Sequence, residues 1–181
     1  EYNFMKTKNL VLAALCSVFI AISAWISIPT SIPFTMQTFA IYFILFILGA
    51  KMCIVAVGVY IMLGIIGIPV FSGFTAGIGI LMGNTGGYII GFLIIPIFMM
   101  LTEKLYNKNT ILLILFSFIS LIICYALGTL WFYFLYTSNT GAITIPAILA
   151  MCVVPFVIPD IIKIALAYGV SKIIKPRIKN D

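Results

Sequence analysis

The sequence predicts an all-α integral membrane protein: one bundle of six transmembrane helices with the N- and C-termini in the cytoplasm. Three observations predict it. Of the 181 residues, 64% are apolar and 8% charged, against roughly 45–50% and about 25% in soluble domains. A small domain keeps much of its surface in contact with solvent, so this apolar surplus demands lipid as that solvent. The apolar residues fall in runs near the ~20 residues that one bilayer crossing needs. Runs such as 111–123 do not alternate as barrel strands do. Finally, the basic residues sit between the runs in a pattern that sets orientation.

Helix 1 is expected from about Leu10 to Ile28, with Pro29 and Pro33 bracketing the turn that follows. Helix 2 is expected from about Phe34 to Ala50, and Lys51 marks a tight turn into helix 3, about Met52 to Ile66. Residues 67–87 then carry seven glycines and no charge. Glycine at that density makes a poor helix. Irregular backbone near membrane depth is tolerated only where protein or a cavity surrounds it, so this segment is a candidate lid or pocket wall. Helix 4 is expected over about Gly87 to Leu101, ending in the polar stretch 102–110, and helix 5 over about Ile111 to Tyr136. After the uncharged loop 137–142, prolines 146, 155 and 159 divide the last region. An interfacial piece before Pro155 and helix 6 starting at about Pro159 is the simplest arrangement, since proline suits a first helical turn. Glu1–Phe4 precede Met5 and are read as a remnant outside the native chain, leaving 5–181 as a single membrane domain.

With six spans, Lys6, Lys8, Lys51, Lys104, Lys108, Lys172, Lys175, Arg177 and Lys179 all fall on one side, the cytoplasmic one by the positive-inside rule. The opposite loops carry no charge. The net charge of +6 is therefore a property of loops, and nucleic acid is not an expected partner. Cys16, Cys53, Cys124 and Cys152 lie within apolar runs, without CxxC spacing and in a chain with no histidine. They read as small hydrophobes, with neither disulfide nor metal expected.

One basic residue is left over. Lys163 follows Asp160 by three positions, so the two share a helix face. Each costs roughly 2.5–3.5 kcal/mol at the centre of a membrane helix. An internal ion pair that only helps packing is one reading; a polar ligand site facing the bundle interior is the other, and the favoured one. Thr35 and Gln37 open helix 2, and Asn84, Thr85 and Tyr88, with Gly86 and Gly87 between them, lie where the lid enters helix 4. Together these make a candidate pocket of apolar walls and few polar groups, which Trp25, Phe71 and Trp131 are placed to line. Ala13, Ala14, Ser17 and Ala21 form a small-residue ridge on helix 1, suited to close helix packing within the bundle or with an external partner. Catalysis has little support: there is no histidine, no nucleophile with a neighbouring base, and no phosphate-loop fingerprint.

The stretches IPFTMQTF (32–39), GIIGIPVFSG (64–73), GNTGGYIIGF (83–92) and GTLW (128–131), followed by Pro159-Asp160 and Lys163, resemble the BioY family. That family comprises the biotin-specific S components of energy-coupling factor (ECF) transporters. The resemblance implies a six-helix protein of a prokaryotic cell membrane that captures biotin with high affinity, surrounded by lipid and needing no cofactor. It implies association with a transmembrane coupling subunit and two ABC-type ATPase subunits, and makes Ala13 and Ser17 the docking surface for that partner. In this frame Asp160 accepts from the biotin urea N–H groups and Lys163 donates to a ligand oxygen, the urea oxygen or the carboxylate. The family more often has proline where Asn84 stands. The rival readings are an S component for another vitamin, such as riboflavin or thiamine; a membrane-embedded enzyme acting on a lipid or isoprenoid; and an autonomous channel or ion-coupled carrier. The enzyme would need acidic or histidine residues at one membrane face, where the outer loops have none; the carrier would show internal repeats or several intramembrane charges.

Overall fold

The computed structural model describes residues 7–30, 32–107 and 109–178. Glu1–Phe4, Lys6, Lys108 and Lys179 lie outside the described residues. Within them the chain runs α1 (Thr7–Trp25), β1 (Ser27–Ile28), β2 (Phe34–Thr35), α2 (Gln37–Leu48), α3 (Ala50–Ile65), a 3-10 turn (Ser72–Phe74), α4 (Ile78–Met82), α5 (Gly86–Leu101), α6 (Glu103–Tyr106), α7 (Thr110–Thr140), α8 (Ile145–Cys152) and α9 (Val154–Ile178). The segments 7–25, 110–140 and 145–177 are long and apolar enough to cross a membrane; α2, α3 and α5 are apolar but shorter. At 1.5 Å per residue the 12 residues of α2 span only about 18 Å, less than the ~30 Å hydrocarbon core.

Several boundaries differ from expectation, each for a local reason. Helix 1 stops at Trp25 because Ser27–Ile28 pairs antiparallel with Phe34–Thr35 in a short hairpin. That hairpin also delays helix 2 to Gln37. Gly49, at φ 85°, makes the turn between α2 and α3, and Lys51 lies within α3 rather than in the turn. The largest difference concerns the last helix. Pro159 is not its start; α9 begins at Val154, with Pro155 in the first turn and Pro159 inside. Proline there removes one main-chain bond and bends a helix without ending it when neighbours support it. Asp160 therefore lies well inside α9.

The bundle pairs α1 with α3, α2 with α9, α3 with α5 and α5 with α7. The α5–α7 approach is set by glycine. A Cβ on Gly87 would stand 2.3 Å from the Trp131 Cβ, one on Gly91 2.7 Å from the Cys124 sulfur, and one on Gly128 2.3 Å from the Tyr88 ring. Small residues four apart on both helices let the backbones close, the packing that membrane helices use. Some polar groups inside the bundle pair across helices: Tyr42 Oη donates to the Ser117 carbonyl at 2.8 Å, and Ser17 Oγ lies 2.8 Å from the Ala56 carbonyl.

The glycine-rich segment folds over one end of the bundle. Phe71 is its anchor. Its ring fills the space above Gly64, where a Cβ would sit 2.0 Å from the ring, and meets Tyr60 edge to face at 5.6 Å. Two tryptophans hold the segment's ends: Trp25 Nε1 donates to the Pro69 carbonyl and Trp131 Nε1 to the Gly83 carbonyl, each at 3.0 Å. Trp25 also stacks on Phe74 at 4.9 Å.

Candidate ligand-binding site

Beneath this segment lies a cavity of about 260 Å³. The β1–β2 hairpin brings Thr35 to it, the start of α2 Gln37 and Thr38, and α3 Tyr60. The lid brings Phe71, Ser72, Thr75 and Ile80; α5 brings Thr85 and Tyr88, α7 Leu121 and Tyr125, and α9 Phe156, Asp160 and Lys163. Most of the exposed wall is apolar, with a limited set of polar groups, the composition of a small-molecule site.

The charged groups of the site are Asp160 and Lys163, 3% and 4% exposed. Lys163 Nζ donates to Asp160 Oδ1 at 2.8 Å and to the Thr35 carbonyl at 2.7 Å, and stands 3.9 Å from the centroid of the Phe34 ring. The hairpin is what makes this possible. It fixes the Thr35 backbone, with Met36 N–H donating to the Ser23 and Ile26 carbonyls, so that the Thr35 carbonyl is free to turn inward. Asp160 Oδ2 accepts from Tyr125 Oη at 2.6 Å. A carboxylate offers about four acceptor positions. One position on each oxygen is engaged by protein, and the rest remain for a ligand. A buried pair of opposite charges with added hydrogen bonds is the form in which ions survive at low dielectric.

The structure brings Asp160, Lys163, Thr35, Gln37 and Tyr88 together around one cavity, but with different parts. Tyr88 offers its ring; its hydroxyl points to Thr129 Oγ1 at 2.9 Å and to the Cys152 carbonyl at 3.3 Å. Asn84 is exposed and does not line the cavity. Gly86 and Gly87 are buried packing positions: a Cβ on Gly86 would fall 1.7 Å from the Leu81 carbonyl oxygen. Trp25 and Trp131 grip the lid instead of lining the pocket. Ala13 and Ser17, the expected docking positions, face the interior of the bundle in the chain by itself. Both are buried, and Ser17 Oγ reaches the Ala13 and Ala56 carbonyls at 2.8 Å. A hydroxyl in this setting needs an acceptor, so this face of α1 turns to α3 and not outward. Sequence reasoning missed Tyr125 and Tyr60. A tyrosine in an apolar run is a ring with a polar handle that generally finds a partner when buried, and this was the signal available.

The chain is similar to known proteins. A model of the BioY family matches residues 1–180. The chain belongs to the BioY family. Among curated relatives, the biotin transporter BioY of Thermotoga maritima is 36% identical over 163 residues, covering 88% of this chain and 91% of the relative. Biotin transporter BioY2 of Lactococcus lactis is 33% identical over 162 residues, covering 89% and 86%. The fold is similar to that of a crystal structure described as the S-component for biotin from an ECF-type ABC transporter. The TM-score is 0.81 at 23% identity, covering all of this chain and 95% of that one. BioY relatives are transporters and not enzymes, and with its apolar helices this BioY-family chain is a membrane protein.

Proposed function

We propose that this protein is the substrate-capture subunit of an ECF-type vitamin uptake system and that its ligand is biotin. The observation that carries the reading is the Asp160–Lys163 pair bordering a largely apolar cavity in a BioY-family chain. Biotin's cyclic urea presents an N–H donor beside a carbonyl acceptor. The pair presents the complement, a carboxylate acceptor 2.8 Å from an ammonium donor. Charge-assisted bonds of this kind are the strong ones in a dry site. Asp160 accepts from the urea N–H. Lys163 keeps Asp160 and the Thr35 carbonyl and exchanges the Phe34 ring face, the weakest of its three partners, for the ligand oxygen. The thioether ring and valeryl chain pack on Phe71, Ile80, Leu121 and Phe156.

In this reading the chain crosses the plasma membrane of a prokaryote six times with both termini inside, and the lid faces outward. Capture and energy use reside on different chains. A transmembrane coupling subunit and two ABC-type ATPases supply the work, because no nucleotide-binding fingerprint is present in this sequence. Mass spectrometry of the purified, denatured protein is expected to release biotin, and titration of Asp160→Asn and Lys163→Ala is expected to weaken binding at least tenfold each. Unchanged affinity in both variants would remove the pair from the site; binding of riboflavin or thiamine in preference to biotin would replace the ligand.

A further inference from the structure

The hydrogen bonds that begin at Lys163 do not end at Thr35. The Thr35 hydroxyl oxygen accepts from the Gln37 main-chain N–H at 3.3 Å, so its single hydrogen is left to donate, and it donates to Gln37 Oε1 at 2.9 Å. That contact orients the amide. With Oε1 toward Thr35, Gln37 Nε2 faces away and donates to Tyr60 Oη at 2.8 Å. The Tyr60 oxygen is thus an acceptor, and its own proton has no protein acceptor among the described residues. Tyr60 is 1% exposed, borders the cavity, and has its ring fixed edge to face against Phe71. A buried hydroxyl with an unspent proton beside a cavity is a prepared donor, since leaving such a group unmatched is costly.

We propose that Tyr60 donates a hydrogen bond to the bound ligand, and that Thr35 and Gln37 are positioning residues that hold its proton toward the cavity. The acceptor is placed by Thr35, which serves both arms of the site: its carbonyl fixes Lys163 and its hydroxyl starts the chain to Tyr60. Tyr60 therefore borders the same cavity as Asp160 and Lys163 and is joined to Lys163 through Gln37 and Thr35. On the biotin reading, on which this inference rests, the ligand atom there is the urea carbonyl oxygen, with two lone pairs for two donors, Lys163 and Tyr60. Selectivity for a urea follows, because a ring with a poor acceptor at that place leaves the Tyr60 proton unmatched.

The test is calorimetric titration of the purified protein, wild type, Tyr60→Phe and Gln37→Met, with three ligands. These are biotin, the analogue whose urea oxygen is replaced by sulfur, and biotin methyl ester. Tyr60→Phe is expected to weaken biotin and its methyl ester about 5- to 20-fold while changing the sulfur analogue little, so that the preference for oxygen over sulfur shrinks by the same factor. Gln37→Met, which frees the hydroxyl to rotate, is expected to reduce that preference by a smaller factor. A Tyr60→Phe protein that loses affinity equally for oxygen and sulfur ligands would mark the hydroxyl as structural and overturn the proposal. Unchanged biotin affinity would overturn it too, as would an effect that vanishes with the methyl ester, which would move Tyr60 to the carboxylate. Wild-type protein that binds no biotin would instead overturn the underlying ligand reading, a result distinct from all of these.

Discussion

At the scale of single residues, the site turns on how completely Asp160 is held. Lys163 restrains one oxygen and Tyr125 the other, which leaves the carboxylate plane little freedom before a ligand arrives. A ligand then meets an acceptor that is already oriented, and less of the binding energy is lost to ordering. Removing only the Tyr125 hydroxyl should therefore weaken the ligand without emptying the site. Hydrogen bonds to charged groups contribute roughly 1.5–3 kcal/mol. Some of that is recovered as Asp160 turns to another donor, so Tyr125→Phe is expected to lower biotin affinity about tenfold, measured by titration. Lys163→Met acts differently. It strands a buried carboxylate, and losing one partner of a buried pair costs about 3–5 kcal/mol. The expected outcome is a markedly lower unfolding temperature in detergent even without ligand, and Asp160→Asn in the same chain should recover much of that loss. A Lys163→Met protein as stable as wild type would mean that the carboxylate is reached by water.

The intramembrane pair was legible in the sequence because charge is conspicuous in an apolar chain. Its setting was not. Tyr125 and Tyr60 stand among fifteen phenylalanines and nine tyrosines, and only the fold reveals which hydroxyl has a polar partner across the bundle. Ala13 and Ser17 show the same limit from the other side: small-residue spacing says that something approaches closely, not whether it is α3 or another protein.

At the scale of elements, helix positions were largely readable from apolar runs, while their ends depended on contacts remote in sequence. Pro159 suggested a helix start because proline suits that place; α9 instead begins a turn earlier at Val154 and continues through it. The glycines of the lid and of α5 also divide by role only in three dimensions. Gly67, Gly73 and Gly77 adopt positive φ in the lid, whereas Gly87, Gly91 and Gly128 set the α5–α7 distance. The helix pair gives a sharp expectation. A methyl group at Gly128 would stand 2.3 Å from the Tyr88 ring, which borders the cavity. Overpacking costs typically 1–3 kcal/mol, so Gly128→Ala is expected to lower both thermal stability and ligand affinity. Gly169→Ala, where nothing lies within 4 Å of the added carbon, should change neither. The lid gives a second. Trp25 holds it through the Pro69 carbonyl and through the stack on Phe74, neither of which touches the cavity. Trp25→Ala should accelerate biotin release several-fold with a much smaller effect on association, read by stopped-flow displacement, as expected where a closing segment governs escape.

At the scale of the whole molecule, the question is how helices of such unequal length share one bilayer. Three segments are long enough to cross alone, while α2, α3 and α5 have 12, 16 and 16 residues. Short helices are tolerated where protein surrounds their ends and supplies the missing depth. Here the hairpin extends α2 on one side, and on the other Lys175 from α9 donates to the Phe46 carbonyl near its end at 3.2 Å. The lid similarly covers the end of α3. On the proposed six crossings, Lys51 and Lys104 fall on one side and the exposed end of α7, with Asn139, on the other. Single-cysteine labelling in intact cells tests this directly. Cys53, Cys124 and Cys152 are buried and Cys16 is half-buried, so background reaction comes chiefly from Cys16 and can be removed by serine replacements. Asn139→Cys should react with a membrane-impermeant maleimide from outside, whereas Lys51→Cys and Lys104→Cys should react only after permeabilisation. Reaction of Asn139→Cys solely from the cytoplasmic side would invert the topology and turn the lid inward, where it could not close over a ligand arriving from outside. Labelling of Asn139→Cys and Lys51→Cys from the same side would instead require one of the three helices between them, α3, α5 and α7, not to span, and α3 and α5 are the two short enough for that.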